Sequence, residues 1–198
     1  MATAKSERPR FLIIAGPNGS GKSTAYERSV VELGGRTFRI INPDRLSQRI
    51  ARFDKLPLDR ANLEAVQRIE NWLETSILAG HTVGVETVLS TDKYRRLVQR
   101  AKSLGFEILL IYVVLHSVEL NVQRVALRVK HGGHPVPEEK IRSRYDKSLS
   151  QLRWFFEQAD RVMLYDNSGA TPRLVGEKNG GVGWLDVDAP DNLLSALA

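Results

Sequence analysis

The sequence contains no cysteine, so disulfide bonds and thiolate metal sites are excluded. It also lacks an apolar run of the ~18–20 residues that a membrane span needs. The longest such run, FEILLIYVVL at residues 106–115, has the length of a buried strand. The N-terminal segment MATAKSERPR has no apolar stretch of the kind that secretory signals carry. We therefore predict a cytoplasmic protein that does not associate with membranes.

Positive charge, in contrast, is in excess. The formal net charge is +6 over 198 residues, and the pI is about 9.7. Such a balance suits either nucleic acids or phosphorylated small molecules as partners. The basic residues are spread along the chain, and no aromatic-rich platform for single strands is visible. We favour phosphorylated small molecules, and we keep a regulatory or nucleic-acid-binding protein with weak nucleotide hydrolysis as the alternative.

Apolar runs alternate with helical patterns along the chain, which is typical of an α/β fold with a mainly parallel sheet. The pattern predicts strands at residues 10–15, 37–44, 81–87, 106–115 and 161–168. Helices are predicted at residues 21–33, 59–79, 92–104, 118–130 and 138–158, with a short one at the C-terminus. We predict a single P-loop NTPase domain over residues 1–198. It would have five strands, helices on both faces, a helical lid at 118–158 and a C-terminal β-hairpin.

One stretch matches a phosphate-binding motif in full. Residues 16–23, GPNGSGKS, fit G-x-x-x-x-G-K-[ST] between a predicted strand and a predicted helix, which is the context that the motif requires. Glycines let backbone N–H groups converge on an anion, and the helix N-terminus adds a positive dipole end. We expect Lys22 to reach the β- and γ-phosphates of ATP or GTP, and the Ser23 hydroxyl to bind Mg²⁺. The predicted nucleotide-binding residues are Gly16, Pro17, Asn18, Gly19, Ser20, Gly21, Lys22, Ser23 and Thr24.

Polar residues stand at the ends of two further predicted strands, where ligands of open parallel sheets bind. Asn42 and Asp44 end the second strand, and Glu86 and Thr87 end the third. Asp44 is predicted either as the base for an acceptor hydroxyl or as the N-cap of a following helix. Because an unpaired carboxylate is costly at an apolar strand end, Glu86 is expected to have a partner. That partner would be a substrate hydroxyl, a Mg²⁺-bound water or a cation in a structural salt bridge.

Two motifs of other P-loop classes are missing. No apolar strand ends in an aspartate at the Walker B place, since the fourth predicted strand ends VVLHS with His116 there. No N-K-x-D motif for base recognition is present either. These absences argue against motor ATPases and GTPases, and they favour small kinases.

Between the fourth and fifth predicted strands lies a helix, a glycine–proline loop and another helix. This insertion is predicted to be a lid that excludes water and brings guanidinium groups to the transferring phosphoryl group. The alternative is that its arginines are solvated helix surface. His131 and His134 lie in the loop, where substrate contact or a hinge role is favoured over a metal site. The arginines that flank the loop are Arg124, Arg128, Arg142 and Arg144.

Five stretches are matched by one family: AGPNGSGKST, NPD, VET, RVALRVKHGGHPVPEEKIRSRYDKSL and YDNS. Over residues 11–168 the chain resembles the zeta-toxin family of P-loop kinases. The first stretch is shared by many P-loop proteins, whereas the long arginine-containing run is much more specific. The VETVLS segment lacks the glycine-rich continuation of the plasmid toxins, so the chain looks closer to the compact, stand-alone bacterial members.

The resemblance implies phosphorylation of a small-molecule hydroxyl, which in the toxin members is the 3′-hydroxyl of UDP-N-acetylglucosamine. It implies that Asp44 is the base and that Glu86 contacts the substrate. It also implies that Lys22 binds phosphates together with two lid arginines, Arg128 and either Arg142 or Arg144. A toxin role would imply an antitoxin. Because the leader before Phe11 is too short for such a domain, we expect the antitoxin to be a separate chain.

Overall fold

A seven-stranded sheet forms the centre of the fold, which a computed structural model describes over residues 8–23 and 40–198. Thr24, most of the predicted helix at 21–33 and the first part of the predicted strand at 37–44 lie outside these residues. The strands in chain order are β1 Arg10–Ala15, β2 Ile40–Ile41, β3 Val83–Thr87, β4 Glu107–Val114, β5 Arg161–Asp166, β6 Arg173–Asn179 and β7 Val182–Leu185.

Their spatial order is β2-β3-β1-β4-β5-β6-β7. The first five strands are parallel, whereas β6 and β7 pair antiparallel with their neighbours. The predicted parallel sheet of five strands and the predicted C-terminal hairpin are therefore both confirmed. The hairpin does not stand apart, because it extends the same sheet at its β5 edge.

Six helices are complete within the described residues, and a further helical turn begins at Lys22 and Ser23. None of the helices in these residues combines the length and the apolar character that a membrane span requires. The two lid helices α4 and α5 have the predicted bounds. The six are α1 Pro43–Phe53, α2 Leu58–Leu78, α3 Arg95–Ser103, α4 Val118–Lys130, α5 Glu138–Gln158 and α6 Asp191–Leu197.

Helix α1 begins inside the segment that the sequence analysis assigns to a strand. The Asn42 side chain accepts a hydrogen bond from the Arg45 backbone N–H at 3.1 Å, and Pro43 occupies the first helical position. Both are favourable at a helix start, because the first N–H groups have no partner within the helix. The N-cap is therefore Asn42, and the alternative interpretation of Asp44 as the cap is wrong. Asp44 lies within the first turn instead.

The core forms because the strands are buried on both faces. Along β1, the residues Phe11, Ile13 and Ala15 face one side and belong to a large cluster with side chains from α2, α3, α5 and α6. Leu12 and Ile14 face the other side, in a second cluster with side chains from β4. All five are fully buried. This two-sided burial explains why the strand sequences are continuous apolar runs and not alternating ones.

Hydrogen bonds join the C-terminal helix α6 to the lid helix α5 and to the end of β4. The Asn192 side-chain amide donates to the backbone carbonyl of Leu115 at 2.9 Å, just after β4. The same amide contacts the hydroxyl of Tyr145, which lies on lid helix α5. Tyr145 also donates to the Leu115 carbonyl, at 3.4 Å. One carbonyl thus connects the end of a central strand, the lid helix and the last helix of the chain.

The strand order determines where a ligand can bind. The chain passes from β3 to β4, which lie on opposite sides of β1. In open parallel sheets such a change of side leaves a crevice at the carboxyl ends of the strands. In register, Ile14 is level with Glu86, and Ala15 is level with both Thr87 and Tyr112. The loop that follows Ala15 therefore begins in this crevice, next to Glu86.

Two leucines on α2 provide a test of the core. Leu73 is fully buried in the large cluster, whereas Leu63 is 62% exposed. We expect Leu73→Ala to lower the free energy of unfolding by about 2–5 kcal/mol, because it removes buried methyl groups and leaves a cavity. Leu63→Ala should change it by no more than about 0.5 kcal/mol. Urea unfolding of both variants measures the difference, and equal losses would contradict this packing.

Candidate active site

The loop at residues 16–23 owes its shape to glycines. Gly19 and Gly21 have φ angles of +80° and +85°, in the left-handed region that favours glycine. A Cβ at Gly19 would lie 2.6 Å from the carbonyl oxygen of Asn121, and one at Gly21 would overlap the side-chain amide of Asn167. Both positions therefore need glycine for the backbone angle and for the close approach of a neighbouring segment.

Those two asparagines hold the loop from outside. The Asn121 side chain, on α4, donates to the Asn18 carbonyl at 2.6 Å. The Asn167 side chain, just after β5, donates to the Ser20 carbonyl at 2.8 Å. Both asparagines are buried. Neither asparagine was predicted to contact the loop. For Asn121, the only sequence signal of such a contact was a polar residue on the buried face of α4. For Asn167, it was the stretch YDNS.

The loop fits the phosphates of a nucleotide in two respects. The left-handed φ angles of Gly19 and Gly21 are those with which successive backbone N–H groups of a loop can converge on an anion. The Ser20 hydroxyl is fully buried and has no hydrogen-bond partner within residues 8–23 and 40–198. Buried polar groups are normally partnered, so this hydroxyl is a free donor in the loop.

Lys22 is buried within the same loop, with 7% of its surface exposed. Its Nζ donates to the backbone carbonyls of Gly16 at 2.8 Å and Pro17 at 3.0 Å. Burial lowers the pKa of Lys22, and the nearby Glu86 and Asp44 carboxylates oppose that shift. The nearby Arg128 lowers the pKa further. An anion bound in the loop would stabilise the charged form, as a phosphate does.

Glu86 connects three segments at the strand ends. Its Oε2 accepts hydrogen bonds from the Ser23 hydroxyl at 3.1 Å and from the Asn42 side-chain amide at 2.8 Å. Among the described residues no lysine or arginine forms an ion pair with it, so the salt-bridge alternative has no support there. A serine hydroxyl and a carboxylate side by side are oxygen ligands of the kind that Mg²⁺ prefers.

Glu86 is a carboxylate beside the loop where no Walker B residue was predicted. The prediction considered the end of the fourth strand, where His116 stands. The strand β1 has two neighbours, however, and the carboxylate beside the Ser23 hydroxyl comes from β3, on the other side. Sequence alone did not reveal which neighbour would carry it, since the order of strands is a property of the fold.

A cavity of ≈ 430 Å³ opens beside the loop. Asp44 lines it with an exposed side chain whose carboxylate has no hydrogen bond within the described part of the chain. Ten of the predicted site residues line it: Asn18, Gly19, Lys22, Asn42, Asp44, Glu86, Thr87, Arg128, His134 and Arg144. The sequence analysis missed several other lining residues, among them Asn62, Ser90, Thr91, Lys93, Tyr94 and Lys140.

The lid arginines divide into two groups. Arg128 and Arg144 line the cavity, and the Arg128 guanidinium donates to the His134 carbonyl at 2.9 Å. Arg142 does not line it. Its guanidinium instead forms ion pairs with Glu119 at 2.8 Å and Glu138 at 2.9 Å on the outer surface of the lid.

Two other predicted residues of the lid segment, Arg124 and His131, also lie outside the cavity lining. Arg124 donates to the Ser168 carbonyl at 3.4 Å and to the Gly169 carbonyl at 3.5 Å, in the loop after β5. His131 contacts the Leu127 carbonyl with its Nδ1 at 2.8 Å. Of the two loop histidines, only His134 lines the cavity.

Comparison with known proteins defines the family. A family model described as an AAA domain matches residues 11–148, which is more than half of the chain. The chain belongs to this AAA-domain family. The match includes β1, the phosphate-binding loop, Glu86, and the segment from Arg128 to Arg144. An uncharacterized protein of Haemophilus influenzae is 28% identical over 138 residues, covering 69% of this chain and 92% of that protein.

Solved structures share the fold at low sequence identity. A chain of the AvrRxo1-ORF1:ORF2 complex with ATP superposes with a TM-score of 0.73 at 16% identity, covering 98% of this chain. This chain spans 64% of the length of that one. The PezAT chromosomal toxin–antitoxin system of Streptococcus pneumoniae gives a TM-score of 0.64 at 19% identity, covering 85% of this chain and 72% of that one. A putative kinase from Chloroflexus aurantiacus gives 0.56 at 19% identity, with 70% and 78% covered.

These likenesses confirm the predicted P-loop fold. The more specific resemblance to zeta toxins stays a prediction.

The buried ammonium of Lys22 predicts a pH effect. Its pKa in the folded protein is below the ordinary value of 10.5, so between the two values the unfolded chain binds more protons. The wild type therefore gains stability as the pH rises through that window. Lys22→Met has no such contribution. We expect its free energy of unfolding, minus that of the wild type, to fall as the pH rises toward 10.5. Urea unfolding at several pH values measures this, and a difference independent of pH would be the contrary result.

Proposed function

We propose that the protein is a phosphotransferase that moves the γ-phosphoryl group of ATP or GTP to a hydroxyl group of a small molecule. One observation carries this proposal: a single cavity is lined both by Lys22 of the phosphate-binding loop and by Asp44, whose carboxylate has no hydrogen bond to any described residue. A transferase needs both a site for the donor phosphates and a base next to it for the acceptor. The cavity volume of ≈ 430 Å³ lies in the range of small-molecule sites.

On the donor side, backbone N–H groups of the phosphate-binding loop and the Lys22 ammonium bind the phosphates. The nucleotide with its Mg²⁺ supplies the transferable phosphoryl group. The Ser23 hydroxyl and the Glu86 carboxylate would hold the metal ion, directly or through its water. Their hydrogen bond of 3.1 Å places the two oxygens side by side. Arg128 and Arg144 stabilise negative charge on the transferring group from the lid.

On the acceptor side, Asp44 accepts the proton of the attacking hydroxyl. The hydroxyl oxygen forms a bond to the γ-phosphorus, the bond to the bridging oxygen of the β-phosphate breaks, and the nucleoside diphosphate leaves. Polar side chains along the cavity wall orient the acceptor through its other groups. We assign this role to Asn42, Thr87 and His134, which all line the cavity.

The acceptor that the zeta-toxin resemblance suggests is UDP-N-acetylglucosamine or a related sugar nucleotide. The polar wall of the cavity suits a molecule with several hydroxyl groups. Likeness to the PezAT toxin–antitoxin system supports the further proposal of a cytoplasmic toxin kinase restrained by a separate antitoxin chain. Incubation with γ-labelled ATP or GTP, Mg²⁺ and a panel of acceptors tests the reaction. The panel contains sugar nucleotides, sugars, nucleosides and a 5′-hydroxyl oligonucleotide. Labelled free phosphate as the only product would remove the transferase proposal. That result would favour the alternative of a regulatory or nucleic-acid-binding protein with weak hydrolysis. A labelled oligonucleotide would keep the transferase but contradict the small-molecule acceptor.

Asp44→Asn should lower kcat by about 10²–10⁴-fold, because the amide cannot take the proton of the acceptor. The affinity for ATP should stay within a few-fold of the wild type, since no contact of Asp44 shapes the loop. Steady-state kinetics and calorimetric ATP titration measure the two quantities. The control is Asp59→Asn, an exposed aspartate at the start of α2 that lies outside the cavity. Near-normal turnover in Asp44→Asn would refute its assignment as the base.

The two alternatives for the second lid arginine predict different kinetics. Arg144→Ala should lower kcat by about 10²-fold or more, the usual loss for a group that stabilises transition-state charge. Arg142→Ala should change it about two-fold at most, because it breaks exposed ion pairs that contribute little. Similar losses in both variants, or a larger one in Arg142→Ala, would reverse the assignment.

A further inference from the structure

Helix α4 ends in two glycines whose backbones differ. The Gly132 N–H donates to the Val129 carbonyl and the Gly133 N–H to the Arg128 carbonyl, both at 2.9 Å. This pair of bonds is a Schellman motif, which ends many helices and needs one residue in the left-handed conformation. Gly132 is that residue, with a φ of +84°. Gly133 does not have a left-handed φ, so its backbone alone gives no reason for glycine.

The reason is the space that the Arg128 side chain occupies. A Cβ at Gly133 would lie 2.5 Å from Cγ and 3.2 Å from Cδ of Arg128, and 2.9 Å from its carbonyl oxygen. Non-bonded carbon atoms do not approach so closely, and these atoms belong to the backbone and the first part of the side chain. They cannot move aside as the tip of a flexible chain does. A Cβ at Gly132, in contrast, would meet no atom within 4 Å.

The course of the Arg128 side chain determines where its charge lies. From the end of α4 the Arg128 side chain runs across Gly133. Its guanidinium donates to the His134 carbonyl at 2.9 Å. From there Arg128 lines the cavity that Lys22 and Asp44 also line. In Schellman motifs, the residue at the place of Gly133 often packs an apolar side chain on the residue at the place of Arg128. Here that side chain is absent, and the arginine takes its place.

We propose that Gly133 is a positioning residue for Arg128. Because Gly133 has no side chain, Arg128 can lie across the helix end and present its guanidinium to the phosphates in the cavity. Gly133 itself contacts no ligand. The role of Arg128 on the phosphates rests on the proposed function. The positioning of Arg128 by Gly133 rests on the geometry at the end of α4.

A double-mutant cycle tests the proposal, with kcat and the affinity for ATP in Mg²⁺ as separate readouts. We expect Arg128→Ala to lower kcat about 10²-fold and Gly133→Ala to lower it about 10-fold or more. In the Arg128→Ala background, Gly133→Ala should add less than a two-fold loss, because the group on which it acts is gone. The ATP affinity should show the same lack of additivity.

Gly132→Ala is the matched control. It strains the left-handed residue of the same helix end and should lower the melting temperature, but it leaves the Arg128 side chain untouched and should keep kcat. Equal loss from Gly133→Ala with and without Arg128, or no loss at all, would overturn the proposal. So would a loss in Gly132→Ala as large as that in Gly133→Ala. If the wild type transfers phosphate to no acceptor, the proposed function fails. The double-mutant cycle measured in ATP affinity then still tests whether Gly133 positions Arg128. Additive effects of the two substitutions on that affinity would overturn this positioning role.

Discussion

The Glu86 carboxylate joins the parts of the site that the chain brings from far apart. One oxygen accepts hydrogen bonds from Ser23, at the end of the phosphate-binding loop, and from Asn42, at the start of α1. Through these two bonds the ends of β1, β2 and β3 are held in a fixed relation. Asn42 at the same time caps the helix that carries Asp44, so the position of the proposed base depends on the same carboxylate. Loss of this carboxylate would leave two half-buried donors, the Ser23 hydroxyl and the Asn42 amide, without their partner in the crevice.

The phosphate-binding loop is held by its surroundings as much as by its own sequence. Its glycines allow the backbone angles, but two side chains from other elements fix the carbonyls of Asn18 and Ser20. A loop held in this way meets a phosphate without having to reorganise, which is the condition for strong electrostatic stabilisation. The lowered pKa of Lys22 has the same origin, because a tightly enclosed ammonium is deprived of water before any ligand neutralises it.

Much of this architecture could be predicted because short stretches of sequence determine it. Continuous apolar runs predicted the parallel strands, and the motif at residues 16–23 predicted the loop together with its neighbouring elements. The lid helices α4 and α5 were predicted with their bounds, since a glycine–proline loop separates them. Helix α1 was predicted only in the alternative that made Asp44 its cap. Its true start at Pro43, with the cap at Asn42, was missed because the preceding apolar residues predicted a strand.

The contacts that could not be predicted join residues far apart in the chain. Asn121 and Asn167 reach the loop over separations of 103 and 147 residues, and no local pattern marks such pairs. The choice between Arg142 and Arg144 was equally open, since both stand on one helix two positions apart. Two positions correspond to about 200° around a helix, so only one of the pair can face the cavity, and the direction of α5 decides which.

Helix α5 is anchored by a contact from the C-terminal helix α6. Asn192 on α6 joins Tyr145, the neighbour of Arg144, to the Leu115 carbonyl. The family match ends at residue 148, so this anchor comes from a segment that the shared family pattern does not include. The C-terminal segment is therefore a place where evolution can adjust the stiffness of the lid without altering any residue of the cavity. A change at Asn192 would thus alter how firmly α5 is held while every residue that lines the cavity stays the same.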